Sequence, residues 1–202
     1  MLQLDIVLSY DEFLLHWVAV SETLDGWSRQ TGREFSMQLV AVEFLAEVCP
    51  RPYPRELPTE LWQSYVAEWG AAVQYLPGAR EMVADLAGRL RVGVVTNTHA
   101  ASLVQEHLTR SGIAPHLGVV VTSVDHGRPK PHPSIFAAAL ERLGCDAATT
   151  LFVGDSLVAD YQGDRGAGLP ALLIDPSGAA AIPAADRIAS VLDVRAHRGL
   201  PG

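Results

Sequence analysis

Apolar positions change their spacing twice along the chain, and the changes divide it. Leu2 to Leu8 is a short apolar run with β-branched members, which predicts a strand. From Asp11 to about Gln74 the spacing is helical. Leu14, Leu15, Val18, Val20 and Leu24 form one apolar stripe ending near Gly32. Phe35, Leu39, Val42, Phe44 and Leu45 form a second, closed by Cys49-Pro50. Leu61, Tyr65, Val66 and Trp69 form a third. Pro50, Pro52, Pro54 and Pro58 mark the loop before that third helix. The four tryptophans, at 17, 27, 62 and 69, all fall in this stretch. They are expected to pack a small helical bundle, with a substrate-facing role for one of them as the other reading.

After Pro77-Gly78 strands and helices alternate. Helices are predicted at Ala79 to Leu90, Ala100 to Ser111, Pro133 to Leu143 and about Ala159 to Ala167. Strands are predicted at Val92 to Thr96, Val119 to Thr122, Thr150 to Val153 and Ala171 to Ile174. Alternation of this kind predicts an α/β fold: a Rossmann-like parallel sheet with helices on both faces. Residues 1–10 and 76–202 make that core, and residues 11–75 are an inserted helical module. Ligand sites in such sheets lie at the C-terminal ends of the strands. That directs attention to the residues after Leu8, to Thr96-Asn97-Thr98 and to Gly154-Asp155-Ser156. Ser177 to Ala185 reads as a surface loop.

Composition narrows the picture. The 202 residues suit one core plus a modest insertion. With 49% hydrophobic and 19% charged residues the chain is globular rather than disordered. The net charge of −8 leaves no basic footprint for nucleic acid. Cys49 and Cys145 are far apart and show no metal-ligand spacing, so they are expected as reduced, partly buried thiols. Met1 to Tyr10 lacks a basic leader, and no apolar run approaches the roughly 18 residues that span a bilayer. No membrane association is expected, and a cytoplasmic location is. Oligomeric state is not legible.

Three segments carry chemistry. Val94-Val-Thr-Asn-Thr98 ends a strand with a hydroxyl and an amide, Thr96 and Asn97. These suit phosphoryl oxygens, although such a pair taken alone is more often a turn or helix N-cap. In Gly127-Arg-Pro-Lys-Pro-His-Pro-Ser-Ile-Phe136, Lys130 lies between prolines that stiffen the loop before a helix. An ammonium fixed there would neutralise a phosphoryl group and a neighbouring carboxylate. His132 reads as a loop or capping residue. In Phe152-Val-Gly-Asp-Ser-Leu-Val-Ala-Asp160 a strand runs into Asp155, and a second carboxylate follows five residues later. Carboxylates at a strand end suit a hard cation such as Mg²⁺. Asp155 is the expected direct ligand. Asp160 is a further metal-site carboxylate, a partner behind it, or a helix cap.

Together these segments resemble the haloacid dehalogenase-like hydrolase superfamily. The order is the family's: Pro77-Gly78 before a helix, Thr96-Asn97, Lys130 in Lys-Pro-His-Pro-Ser-Ile-Phe, Gly-Asp-Ser-(x)₃-Asp, then Gly166-Ala-Gly168. The resemblance covers about residues 76–176, and residues 11–75 look like the helical cap of its phosphatase-like branch. It implies phosphate binding by Thr96, Asn97 and Lys130, with Lys130 also catalytic. It further implies a Mg²⁺ site drawing on Asp155, Asp11 and Asp160.

The first motif departs from the family's Asp-x-Asp-x-Thr/Val, whose first Asp is the nucleophile and whose second is the acid/base. The best register is Ser9-Tyr10-Asp11-Glu12-Phe13: Asp11 holds the acid/base position, Ser9 the nucleophile position and Phe13 the threonine position. A rival register starting at Asp5 keeps a nucleophile but loses the second carboxylate. Serine near its free pKa is a poor nucleophile, and Ser9 removes an anionic metal ligand. Three expectations follow. The first is a Mg²⁺-dependent phosphatase of a small phosphorylated metabolite. The second is an impaired relative that binds a phosphorylated ligand or partner without turnover. The third is an enzyme that uses Asp11 without a covalent intermediate. The dehalogenase branch fits less well, because Gly154-Asp155 is the acidic, metal-type form of its motif.

Overall fold

The computed structural model describes residues 8–49 and 52–196. They form two compact units divided between Val73 and Gln74.

The first unit holds α1 (Tyr10–Thr31), α2 (Met37–Val48) and α3 (Leu57–Ala71). Helix α1 starts where it does because Ser9 and Glu12 form a capping box. The Ser9 hydroxyl accepts from the Glu12 N–H, and the Glu12 carboxylate accepts from the Ser9 N–H at 2.8 Å. It stops at Gly32, whose φ of 63° is left-handed. Ser36 caps α2, and Pro58 sits in the first turn of α3, where its missing N–H has no partner to lose.

The buried cluster of this unit contains Trp17, Val20, Phe35, Val40, Ala41, Phe44 and Leu45. The rings of Phe13, Trp17, Phe44 and Tyr65 meet with centroids 4.7 to 6.4 Å apart. This corrects the face expected for α1. Leu15 and Val18 are 69% and 48% exposed, and the inward face runs Phe13, Trp17, Val20, Leu24. Aromatic rings bury more surface than leucine, so the helix turns to carry Trp17 inward. Trp69 is exposed, whereas Trp62 packs on the cluster and donates to Gln38 Oε1 at 2.7 Å. Residues 2–7 of the strand expected at Leu2 to Leu8 lie outside the described residues. Leu8 packs against the helical cluster.

The second unit alternates as expected: α4 (Ala79–Ala87), β1 (Gly93–Thr96), α5 (Ala101–Arg110), β2 (Val119–Thr122), α6 (Ser123–His126), α7 (Pro133–Leu143), β3 (Phe152–Gly154), α8 (Gly163–Gly166), β4 (Ala171–Ile174) and β5 (Arg187–Ile188). All pairing is parallel. Gly93 to Thr96 match Val119 to Thr122, Phe152 matches Ala171, and Leu173 matches Arg187. The described residues thus give two sheets, β1–β2 and β3–β4–β5. An apolar space of about 380 Å³, lined by Val94, Val95, Val153, Leu86 and Phe136, lies beside β1 and β3. Val121, Ile135, Phe136 and Ala139 form one buried layer under α7. Met82, Leu86 and Val194 form another under α4.

Details differ from expectation, the short helix α6 between β2 and α7 among them. The helix expected at Ala159 to Ala167 is a π-helical turn, Leu157–Gln162, followed by α8. β5 was not foreseen, because two residues are too few to show a period. No helix among the described residues is long and apolar enough to cross a membrane.

Candidate functional site

Lys130 enters the site through a short loop between α6 and α7. Gly127 closes α6 with φ of 83°, and His132 is the N-cap of α7, with Pro133 as its first residue. The side chain of Asn97, just past the end of β1, grips the loop from the other side. Its Nδ2 donates to the Lys130 carbonyl at 3.0 Å, and its Oδ1 accepts from the Lys130 N–H at 2.7 Å. Asn97, expected on a phosphate, is thus spent on the lysine's backbone. The turn is fixed further by Ser123, fully buried, whose hydroxyl accepts from Thr98 N–H at 2.9 Å.

The Lys130 side chain is 10% exposed. Its ammonium donates to the Val95 carbonyl at 3.0 Å and to Asp160 Oδ1 at 2.6 Å, and lies 5.4 Å from the centre of the Phe152 ring. The other Asp160 oxygen accepts from Ser156 N–H at 2.9 Å. Both oxygens of Asp160 are therefore engaged inside the protein, and it acts as the lysine's counter-ion. Gly154 makes the approach possible, since a Cβ there would overlap the Asp160 carboxyl. Gly163 does the same for the lysine loop: a Cβ there would come within 2.8 Å of Pro131.

Thr96 ends β1, its hydroxyl 3.4 Å from the Asn97 carbonyl. Asp155, directly after β3, is exposed. Thr96, Asn97, Lys130, Asp155 and Asp160 all belong to the second unit, and hydrogen bonds join Asn97, Lys130 and Asp160. Ser9 and Asp11 belong to the first. Ser9 caps α1, its hydroxyl also donating to the Glu12 carboxylate at 2.7 Å, and Asp11 is exposed in the first turn. That cap hydrogen bond holds the Glu12 carboxyl below its ordinary value.

Sequence reasoning passed over Asp164. Its carboxyl is fully buried, and among the described residues neither oxygen has a hydrogen-bond partner. Burial, and then the Asp160 charge, push it up to about 8 against the counter-pull of Lys130. The available signal was its i+4 spacing from Asp160, which puts the two carboxyls on one helical face. Among the described residues no group of three or more His, Cys, Asp or Glu side chains is gathered for a metal.

The second unit thus carries a buried lysine with its counter-ion, a threonine at the end of β1 and a carboxylate just past β3. The model of the haloacid dehalogenase-like hydrolase family matches residues 25–168, a span that contains Thr96, Asn97, Lys130, Asp155 and Asp160. The ribulose-1,5-bisphosphate 5-phosphatase of Halopiger xanaduensis is 32% identical over 131 residues, 64% of this chain and 53% of that protein. The pyrimidine 5'-nucleotidase YjjG of Escherichia coli is 33% identical over 113 residues, 55% of this chain and 50% of that protein. The chain thus spans about half the length of these curated relatives. In fold it is similar to a 2-haloacid dehalogenase from Pseudomonas syringae, with TM-score 0.74 and 22% identity over 95% of this chain and 81% of the other. With its motif order matched over most of its length and its strands laid out in parallel, the chain belongs to the haloacid dehalogenase-like hydrolase family.

Proposed function

We propose that this chain is a phosphohydrolase acting on a small phosphorylated metabolite, with Mg²⁺ held at Asp155. The buried Lys130–Asp160 pair carries the reading. An ammonium has three N–H donors. Two are committed to Val95 and Asp160, which leaves one donor and a fixed positive charge for a phosphoryl oxygen. Removing water from around that charge strengthens its pull on the charge that develops as the P–O bond breaks. The Thr96 hydroxyl, at the end of β1, would be a second donor on leaving the Asn97 carbonyl. Phosphatases among the relatives fit the same substrate class.

The donor set suits Mg²⁺ modestly. Mg²⁺ is commonly held by one or two carboxylates, with waters and substrate phosphate filling its octahedron. Asp155 offers such a carboxylate, and a solved structure of similar fold, YfnB of Bacillus subtilis, is bound to magnesium. When bound, the ion would neutralise phosphoryl charge. Asp11 would supply the proton that the leaving alcohol takes and receive one from the attacking group.

A second reading, binding without turnover, rests on Ser9. Its hydroxyl is engaged as a helix cap, and serine lacks the carboxylate of the family's nucleophile. A panel of phosphate monoesters with and without Mg²⁺, run on the native chain, Ser9→Asp and Asp155→Ala, separates the two. Turnover is expected to be low in the native chain, raised by Ser9→Asp and lost in Asp155→Ala. Saturable binding of inorganic phosphate with no turnover in any variant favours the second reading. Neither binding nor turnover removes both.

A further inference from the structure

The turn that carries Asp160 sits between two helical registers. The Ser156 carbonyl accepts from the Asp160 N–H at 3.0 Å, the α-type bond, and from the Tyr161 N–H at 3.1 Å, the π-type bond. The Ser156 hydroxyl accepts from the Ala159 N–H at 3.1 Å, and the Ser156 N–H donates to Asp160 Oδ2 at 2.9 Å. The wider, π-type register is the rarer one in proteins and occurs mostly as single turns. It therefore needs a hold from outside the turn.

Tyr161 supplies such a hold. Its ring is 6% exposed and packs with Ala171 and Leu173 of β4. A phenylalanine would bury the same ring, so packing does not account for the hydroxyl. That hydroxyl donates to Asp186 Oδ2 at 2.5 Å. Asp186 lies just before β5, and the next residue, Arg187, pairs with Leu173. The hydroxyl thus ties the turn to the sheet. Arg165 Nη1 donates to the same Asp186 oxygen at 3.1 Å and to the Tyr161 hydroxyl at 3.4 Å, supplying a cation for Asp186. The bond to Asp186, and then burial, hold the Tyr161 phenol above its ordinary value, so it stays a donor through the neutral range.

We propose that Tyr161 is a positioning residue for the Lys130–Asp160 ion pair: its hydroxyl, bonded to Asp186, fastens the turn in the register that sets the neighbouring Asp160 carboxylate on the Lys130 ammonium. This rests on the reading of Lys130 as the phosphoryl-binding lysine. Asp160 and Tyr161 are adjacent in the chain and face different partners. The carboxylate meets Lys130 at 2.6 Å, and the phenol meets Asp186. With the hydroxyl gone, the Tyr161 N–H is free to leave the Ser156 carbonyl and the turn relaxes toward the α register. That rotates Asp160 about the axis of the turn, so its bonds to Lys130 and to the Ser156 N–H loosen together. A lysine held less firmly presents its remaining N–H to a phosphoryl oxygen in the right direction less of the time.

The test is amide hydrogen exchange in the full chain, followed residue by residue by NMR, beside affinity for inorganic phosphate. Tyr161→Phe keeps the ring and removes the donor. Exchange at the Ser156 and Tyr161 amides is expected to rise on the order of tenfold, as loss of a hydrogen bond to a charged group implies, with Leu172 and Leu173 of β4 unchanged. Inorganic phosphate should bind about three- to tenfold more weakly. Asp186→Ala removes the same bond from its other end and should reproduce both changes. Asp186→Asn, whose amide oxygen still accepts from Tyr161, should keep most of the protection, and Arg165→Ala should leave it as in the native chain. Ser156 exchange unmoved by Tyr161→Phe and Asp186→Ala, or rising in step with Leu172 and Leu173, overturns the proposal. So does phosphate binding that is equal in Tyr161→Phe and the native chain. If the exchange changes appear but the native chain binds no phosphate, the positioning of Asp160 stands and the phosphoryl reading of Lys130 fails.

Discussion

Asp160, in the π-helical turn after β3, and Asp164, in α8, are both buried carboxyls, yet they carry opposite risks. Asp164 has no hydrogen-bond partner among the described residues and is held protonated up to about pH 8, while an unfolded chain releases that proton near 3.8. Because the folded state keeps the proton and the unfolded state does not, stability falls as pH rises between those values and is level above them. Asp164→Asn has no proton to lose. It is expected to unfold at higher urea than the native chain at pH 8.5, by about 2 kcal/mol, with little difference near pH 4. Parallel curves for the two proteins would show Asp164 to be solvated after all. Asp160→Asn leaves the Lys130 ammonium buried without its counter-ion and is expected to cost about 3–5 kcal/mol in urea unfolding. A loss under about 1 kcal/mol would mean that the pair is open to water.

At the scale of elements, the start of α1 is where fold and chemistry compete for one residue. Ser9→Ala removes the hydroxyl that caps α1 and should cost about 1 kcal/mol by thermal or urea unfolding. Ser9→Asp keeps a good capping group, so its stability should stay within a few tenths of a kcal/mol of native. Any catalytic gain in that variant is then chemical rather than structural. Most of the elements were legible. The period change at Pro77-Gly78 and the alternation beyond it are direct consequences of burying strands between helices. What was not legible depended on volume and distance. Leucine and valine spacing placed Val20 and Leu24 inward correctly but Leu15 and Val18 wrongly, because Trp17 and Phe13 set the angle of the helix. In the site, the prolines around Lys130 announced a stiff loop. Nothing local joined Lys130 to Asp160, 30 residues away, or turned the Asn97 amide onto the Lys130 backbone.

For the whole molecule the governing quantity is charge. At −8 the chain repels the phosphorylated anions it is proposed to take, and the local field of Lys130 must work against that background. Salt screens the long-range repulsion, with a Debye length that shrinks from about 30 Å at 0.01 M to about 8 Å at 0.15 M, and leaves the buried pair nearly untouched. The value of kcat/KM for a phosphomonoester dianion is therefore expected to rise, by about two- to fivefold, over that range of ionic strength. A fall with salt would instead indicate a local positive funnel that outweighs the net charge.

One consequence of the lysine's placement is chemical rather than biological. Lys130 is the single lysine among the 202 residues, set against fourteen arginines. It is 10% exposed and ion-paired at 2.6 Å. Acylating reagents need the unprotonated amine, so this side chain should stay unmodified while the pair is intact. Loss of the pair would uncover it. An amine-directed label, located on Lys130 by peptide mass and so told apart from label on the α-amine, then reports on the integrity of this one ion pair without a mutation or a substrate.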